Sequence, residues 1–347
     1  MNRARIESIG LYLPETVVST EELVSRMNTK PIFDLEKITG IKNRRFRSDS
    51  KGEDTSTLAL NAARDCLERS GYDAADMDII INASISKYNG SHVCYFEPTL
   101  SHFVKNGLGA HNAINFDIAN ACAGMNTGAM ILNNMIRSGA VRRGMVVSGE
   151  CITPIADTAI KEISEPMDDQ FASLTVGDSG AAFIMDESPD GKEGFDFIDF
   201  TTVAHYAELC FGMPSEKNPG IAMYTRSKEM HNKDLVNTWP RLLADHFEKK
   251  GTMFNPLDYD YIITHQVTVG AIKTYLKAGK EYFDTDMPAT LTSVEEYGNT
   301  STTTHWVVIY NALKEKKIKP GDRILLLSSA SGIAIGFLSF TIGNIEV

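Results

Sequence analysis

The chain has no CxxC pair, no low-complexity segment and no apolar run near the roughly 18 residues a bilayer span requires. Its five cysteines (Cys66, Cys94, Cys122, Cys151 and Cys210) are odd in number and widely spread. That pattern argues against a disulfide framework and against a thiolate zinc site. The start, MNRARIESIGLYLPE, is charged and then strand-like, without the apolar core of a signal peptide. The sequence therefore reads as cytoplasmic, with no membrane span. Positive charge is also in deficit. A formal net charge of −11 argues against a nucleic-acid partner held by a basic surface.

What is present is an ordinary globular composition, 43% hydrophobic and 23% charged, over 347 residues. That length suggests two domains or a doubled fold. Short apolar runs alternate with longer helical patterns, the signature of an α/β architecture. RIESIGLYL, MDIIINAS, AINFDIA, GMVVSGE and GAAFIMD read as one set of strands. FDFIDFTTVA, DYIITHQV, RILLLSSAS and GFLSFTIG read as a second. Three echoes recur in the same order: ADMDIIINAS with LDYDYIITHQ, GAVRRGMVVSGE with KKIKPGDRILLLSS, and SGAAFIMD with GIAIGFLSFTI. A repeat this long indicates internal duplication rather than a solenoid. The polar stretch DESPDGKEG marks the join, giving halves of 1–190 and 191–347. The mixed region from His205 to about Leu257 reads as loops and helices covering a site.

Cys122 lies in NFDIANACAGMNTGAMIL, between an apolar strand and a helix, among small residues. A helix N-terminus favours the thiolate, which is the reactive form. The alternative is a small residue packed in a crowded turn. His265, in YIITHQVTVGAIK, ends a strand ahead of a helix in the other half. Asn299, in EEYGNTSTTTHW, sits in a turn before another helix. Each alone suits a structural role, as a satisfied core group or an Asx turn. Together they occupy strand-to-helix junctions of a doubled fold, where side chains of both halves converge.

With IGLYLPE, ITGIKNRR, ACAGMNTG, VGDSGAA, HQ, GNTS and SSASGIAIG in this order, the chain resembles ketoacyl-acyl-carrier-protein synthase III condensing enzymes of the thiolase superfamily. The resemblance implies a thiolase-like duplicated αβαβα five-layer fold, a homodimer and a catalytic triad of Cys122, His265 and Asn299. It further implies that Cys122 takes an acyl group from a thioester of coenzyme A or acyl carrier protein. His265 and Asn299 would then hold the second thioester carbonyl, stabilising an enolate. Backbone N–H groups of Cys122 and Gly332 would form the oxyanion hole. Thioester exchange and enolate attack need only these polar groups, so no metal and no cofactor is expected.

Two departures stand out. KPIFDLEKITGI lacks the tryptophan and arginine that hold the adenine of coenzyme A in the priming enzymes, which favours a carrier-protein donor. Lys273 and Lys277 are candidates for docking an acidic carrier protein, or simply solvated surface. In VCYFEPTLSHF, Glu97 stands where the priming enzymes have an aromatic residue. This resembles the subgroup that joins two acyl chains head to head in olefin or dialkylresorcinol pathways. Glu97 is then a candidate base acting in the partner's site, or else a surface cap. His305 and Asp178 read as packing or turn-fixing residues, and His205 and Cys210 as packing residues or, alternatively, as lining of a substrate tunnel. The leading expectation is a condensing enzyme forming a carbon–carbon bond through acyl-Cys122, either by decarboxylative attack of a malonyl or β-ketoacyl carrier-protein thioester or by joining two acyl chains with Glu97 assisting. The alternatives are an acyltransferase or thioesterase using the same acyl-Cys, and a non-catalytic acyl-binding partner of another ketosynthase.

Overall fold

The computed structural model describes residues 3–90, 93–165, 168–230 and 232–347. Apolar runs such as Ile79–Asn82 and Arg323–Ala330 are buried at nearly every position, as strands covered on both faces must be. We number ten such strands: β1 (Ala4–Tyr12), β2 (Ile79–Asn82), β3 (Ile114–Asp117), β4 (Arg143–Glu150), β5 (Ser179–Glu187), β6 (Gly194–Thr202), β7 (Tyr261–Thr264), β8 (Ala289–Thr290), β9 (Arg323–Ala330) and β10 (Ala334–Thr341). They form two five-stranded sheets, ordered β1-β5-β4-β2-β3 and β6-β10-β9-β7-β8. In each sheet the first three strands are antiparallel to their neighbours, and the last three run parallel. The two sheets therefore share one topology. The three sequence echoes fall on β2/β7, β4/β9 and β5/β10, the central strands of each.

Among the described residues, seven helices are nine residues or longer: α1 (Thr55–Glu68), α2 (Leu100–Leu108), α3 (Gly124–Arg137), α4 (Thr153–Glu162), α5 (Thr238–Glu248), α6 (Val269–Phe283) and α7 (Thr304–Lys314). All but α4, which packs against Ile221 and Met223, cover the sheets. The largest apolar cluster joins both sheets through α3 and α7, with Phe183 of β5 stacked 4.0 Å from Trp306 of α7. A second cluster seats α1 and α2 on the outer face of the first sheet. A third seats α5 and α6 on the outer face of the second. The order of layers is helices, sheet, helices, sheet, helices. This is the thiolase-like arrangement.

The region after His205 holds more than helices and loops. Cys210–Pro214 pairs antiparallel with Ile221–Thr225 in a separate hairpin. That hairpin is pinned to α4, where Glu162 accepts from Ser215 Oγ (2.6 Å) and Asn218 Nδ2 (3.2 Å). Among the described residues, no helix is long and apolar enough to cross a membrane.

Candidate active site

Strand β3 ends at Asp117, and the chain tightens into a single 3₁₀ turn, Ala121–Ala123, that runs directly into α3. Ala121 is left-handed at φ 43°, a costly conformation for a residue with a Cβ. Gly124 follows because a Cβ there would lie 2.7 Å from the carbonyl oxygen of Ala83. This close approach sets Cys122 at the start of a 14-residue helix. The expected lowering of its pKa is nevertheless not what the structure gives. Burial among apolar groups pushes the Cys122 thiol up to about 12, against the smaller lowering effect of the Ser301 hydroxyl. Ser301 Oγ lies 4.0 Å from Cys122 Sγ. Burial thus favours the thiol, against the helix N-terminus.

His265 follows β7 at the matching junction of the second sheet, its N–H donating to the carbonyl of Leu327 (3.0 Å). Burial, together with the neighbouring His305, holds its pKa down to about 3, so the ring is neutral. Its Nδ1 is buried with no hydrogen-bond partner. His305 on α7 lies 6.1 Å away, centroid to centroid, and uses both ring nitrogens. Nε2 faces the Leu327 carbonyl at 3.1 Å and Nδ1 faces Asn126 Nδ2 at 3.3 Å. His305 is a packed, satisfied group.

The Asn299 turn is clasped by the first half of the chain. Its N–H donates to the Thr175 carbonyl (2.8 Å), and its own carbonyl accepts from the Gly177 N–H (3.1 Å). Gly298, at φ 66°, leaves no room for a Cβ, which would meet the Thr175 oxygen at 2.6 Å. Asn299 Oδ1 accepts from the Ser301 N–H (3.0 Å), and the side-chain amide is left with N–H groups to donate.

Cys122, His265 and Asn299 line one cavity of about 200 Å³. Ile152 and Ile155 from α4, Met223 and Thr225 from the hairpin, and Leu327 and Ile335 from the second sheet complete much of its wall. A thiol, a neutral imidazole and an amide thus meet in an apolar pocket suited to acyl chains.

Comparison with known proteins agrees with this geometry. Residues 116–205 match the family model for 3-oxoacyl-[acyl-carrier-protein] synthase III, and residues 250–342 match the model for its C-terminal part. Beta-ketoacyl-[acyl-carrier-protein] synthase III of Deinococcus deserti is 28% identical over 95% of this chain and 88% of that protein. The synthase III 1 of Halalkalibacterium halodurans is 27% identical over 99% of this chain and all of that protein. The chain belongs to the synthase III family of condensing enzymes. Among solved structures, the synthase III of Aquifex aeolicus superposes with TM-score 0.79 at 23% identity, covering 97% of this chain and 99% of that one. A Cys-to-Ser variant of Xanthomonas campestris OleA, with bound lauric acid and lauroyl-CoA, superposes with TM-score 0.81 at 22% identity over 98% and 99%. Those two likenesses speak for the fold.

In this family member the other anticipated residues are dispersed. Glu97 is exposed and does not line the cavity of its own chain. Gly332 lies between Ser331 and Ile333, both on the cavity wall. Lys273 and Lys277 are exposed on α6, and Lys277 already faces Glu281 at 3.6 Å. Cys210 lines the cavity that holds Cys122, whereas His205 lies in a separate surface groove beside Tyr206. Asp178 fixes the start of α4, accepting from the N–H groups of Ile152 (2.6 Å) and Thr153 (2.8 Å). Burial raises its carboxyl to about 6.

Sequence reading missed Glu150. At the end of β4 it is fully buried, and burial raises its pKa against an array of hydrogen-bond donors. A carboxylate closing an apolar strand, in GMVVSGE, was the available signal. A buried charge needs partners, and those come from distant segments that spacing does not reveal.

Proposed function

We propose that this condensing enzyme joins two acyl thioesters through an acyl intermediate on Cys122. The observation that carries this reading is the convergence of Cys122, His265 and Asn299, from three separate junctions, on one apolar cavity. Cys122 Sγ attacks the first thioester carbonyl, and the new S–C bond replaces the bond to the carrier thiol. Because burial favours the thiol, neutral His265 on the cavity wall takes its proton as that bond forms and returns it to the departing carrier thiolate, which leaves as a thiol. Backbone N–H groups of Cys122 and Gly332 hold the oxyanion. In the second step His265 and the Asn299 amide donate to the carbonyl oxygen of the other thioester. Loss of an α-proton to a base, or of carbon dioxide from a malonyl-type thioester, forms this enolate. It attacks the acyl carbon, the new C–C bond replaces the S–C bond, and Cys122 leaves as a thiolate that takes up a proton.

A homodimer is part of this reading. Strand β3 is the edge of the first sheet, and Ile114 on it is 56% exposed, alongside Phe96 at 87% and Val93 at 58%. A sheet edge and exposed apolar groups each suit pairing with a second copy. Glu97, next to Phe96, would then enter the partner's cavity as the base that takes the α-proton in a head-to-head condensation. Lys273 and Lys277 would receive an acidic acyl carrier protein.

The test is product analysis by mass spectrometry, with acyl-CoA and acyl-carrier-protein thioesters offered in pairs. A product carrying both acyl chains and a new C–C bond is expected. Release of free acid or simple acyl transfer, with no such product from any pair, contradicts the reading. Glu97→Ala should retain acylation and lose condensation; an unchanged condensation rate removes Glu97 from the mechanism.

A further inference from the structure

We propose that Glu150 is a positioning residue for the condensation step, fixing the Asn299 turn relative to Cys122; this rests on the reading of the site given above. Its carboxylate receives four donors and has a fifth hydroxyl, Ser148 Oγ, within 3.3 Å. Oε1 accepts from the Ile85 N–H (3.0 Å) and Thr302 Oγ1 (2.6 Å), and Ser148 Oγ donates in turn to Thr302 Oγ1 (2.7 Å). Oε2 accepts from the Ser86 N–H (3.4 Å) and Ser86 Oγ (3.2 Å). A fully buried carboxylate persists only when satisfied in this way, and two of these donors are backbone groups that cannot reverse their role.

The partners belong to different walls of the site. Ile85 lines the cavity from the loop after β2. Thr302 belongs to the turn that carries Asn299, from the other half of the chain. Its neighbour Ser301 holds Asn299 Oδ1 through its N–H and approaches the Cys122 sulfur with its hydroxyl. The Thr302 methyl packs against the start of α3, 3.1 Å from where a Cβ on Gly124 would lie. One carboxylate thus ties a cavity wall of the first half to the Asn299 turn of the second, directly behind the nucleophile. Thr302 Oγ1 also meets Ser148 Oγ at 2.7 Å, which closes the network on β4 itself. The amide of Asn299 is used when the enolate forms, and acylation of Cys122 precedes that step. Loosening this clamp therefore penalises condensation more than acylation.

Thr302→Val is the informative substitution, because it keeps the shape and the methyl contact while removing the hydroxyl. Thr302→Ser keeps the hydroxyl. Glu150→Gln sets amide N–H groups against donors. Acylation is followed by intact mass, condensation by product formation at saturating second thioester, and folding by Tm. For Thr302→Val, acylation should stay within about twofold of wild type while kcat for condensation falls at least about tenfold. Thr302→Ser should recover condensation to within about threefold, and Glu150→Gln with Thr302→Val should be no worse than Glu150→Gln alone. Condensation by Thr302→Val at the wild-type rate would overturn the proposal. So would a parallel loss of both steps with a lowered Tm, or a Thr302→Ser variant as impaired as Thr302→Val. If Glu150→Gln does not fold, the threonine pair still decides the matter. A wild type that takes no acyl group on Cys122 would defeat the parent reading and this inference with it; a normally acylated wild type beside an unaffected Thr302→Val would defeat the inference alone.

Discussion

The junctions after β3 and after β7 occupy nearly equivalent places in the two sheets, yet they carry opposite chemistry. One presents Cys122 at the start of a helix, the other His265 just before one. Burial acts on both in the direction of neutrality. It raises the thiol to about 12 and lowers the imidazole to about 3. The duplicated scaffold thus brings two groups of opposite charge preference into one apolar cavity and keeps both uncharged. Burial therefore disfavours a resting thiolate–imidazolium pair. Proton transfer has to accompany bond formation, and a site without resting charge suits apolar acyl chains. His305, so close to His265, sharpens the contrast: its nitrogens are both engaged, while Nδ1 of His265 has no partner.

The largest break in this comparison comes from removing one side of it. His265→Ala should lower condensation by about 10²–10³, as loss of an oxyanion donor does elsewhere, and should also slow the acylation of Cys122, because the same ring takes the thiol proton. Rates of product formation and intact mass measured on the same sample check both halves of that statement. Next, alkylation of Cys122 by iodoacetamide should accelerate steadily with pH to about 10, because the thiol titrates near 12. A plateau with a midpoint below pH 8 would mean that the helix N-terminus outweighs burial. Gly124→Ala tests how closely the nucleophile turn is packed; the clash with Ala83 should cost about 1–3 kcal/mol, read as a lowered Tm.

The smallest expected effect lies in the pH dependence of stability. Unfolded histidines take up protons below about pH 6.5. The folded protein resists protonation of His265 until about 3 and of His305 until about 4. Between those limits the unfolded state binds more protons, so stability falls as pH falls. His265→Gln should reduce the loss of Tm between pH 7 and pH 5 relative to wild type. An identical loss in both proteins would remove His265 from that dependence.

Much of the fold was legible because its central strands are continuous apolar runs. The echoes of β2 with β7, β4 with β9 and β5 with β10 are chemical consequences of strands buried on both faces. The edge strand β8, two residues long, offered no such signal. Neither did the hairpin at Cys210–Pro214, where Gly212 and Pro214 interrupt a short, largely exposed strand. Cys122, His265 and Asn299 stood out through their local motifs. The thiol's pKa was misjudged, because helix position can be read along the chain whereas cavity burial cannot. Lys277 pairs with Glu281 one helical turn on, a spacing visible in the sequence. Glu150 was missed because its donors come from residues 85, 86 and 302, which only the folded chain brings together.

The central claim is an acyl group carried on Cys122 inside this cavity. Intact-mass spectrometry of the protein with a panel of acyl-CoA and acyl-carrier-protein thioesters, beside Cys122→Ala, tests it most directly. The account predicts a mass gain of one acyl group on the wild type and none on the variant. An equal gain on both proteins, or none on the wild type when hydrolysis is shown to be negligible, would contradict it.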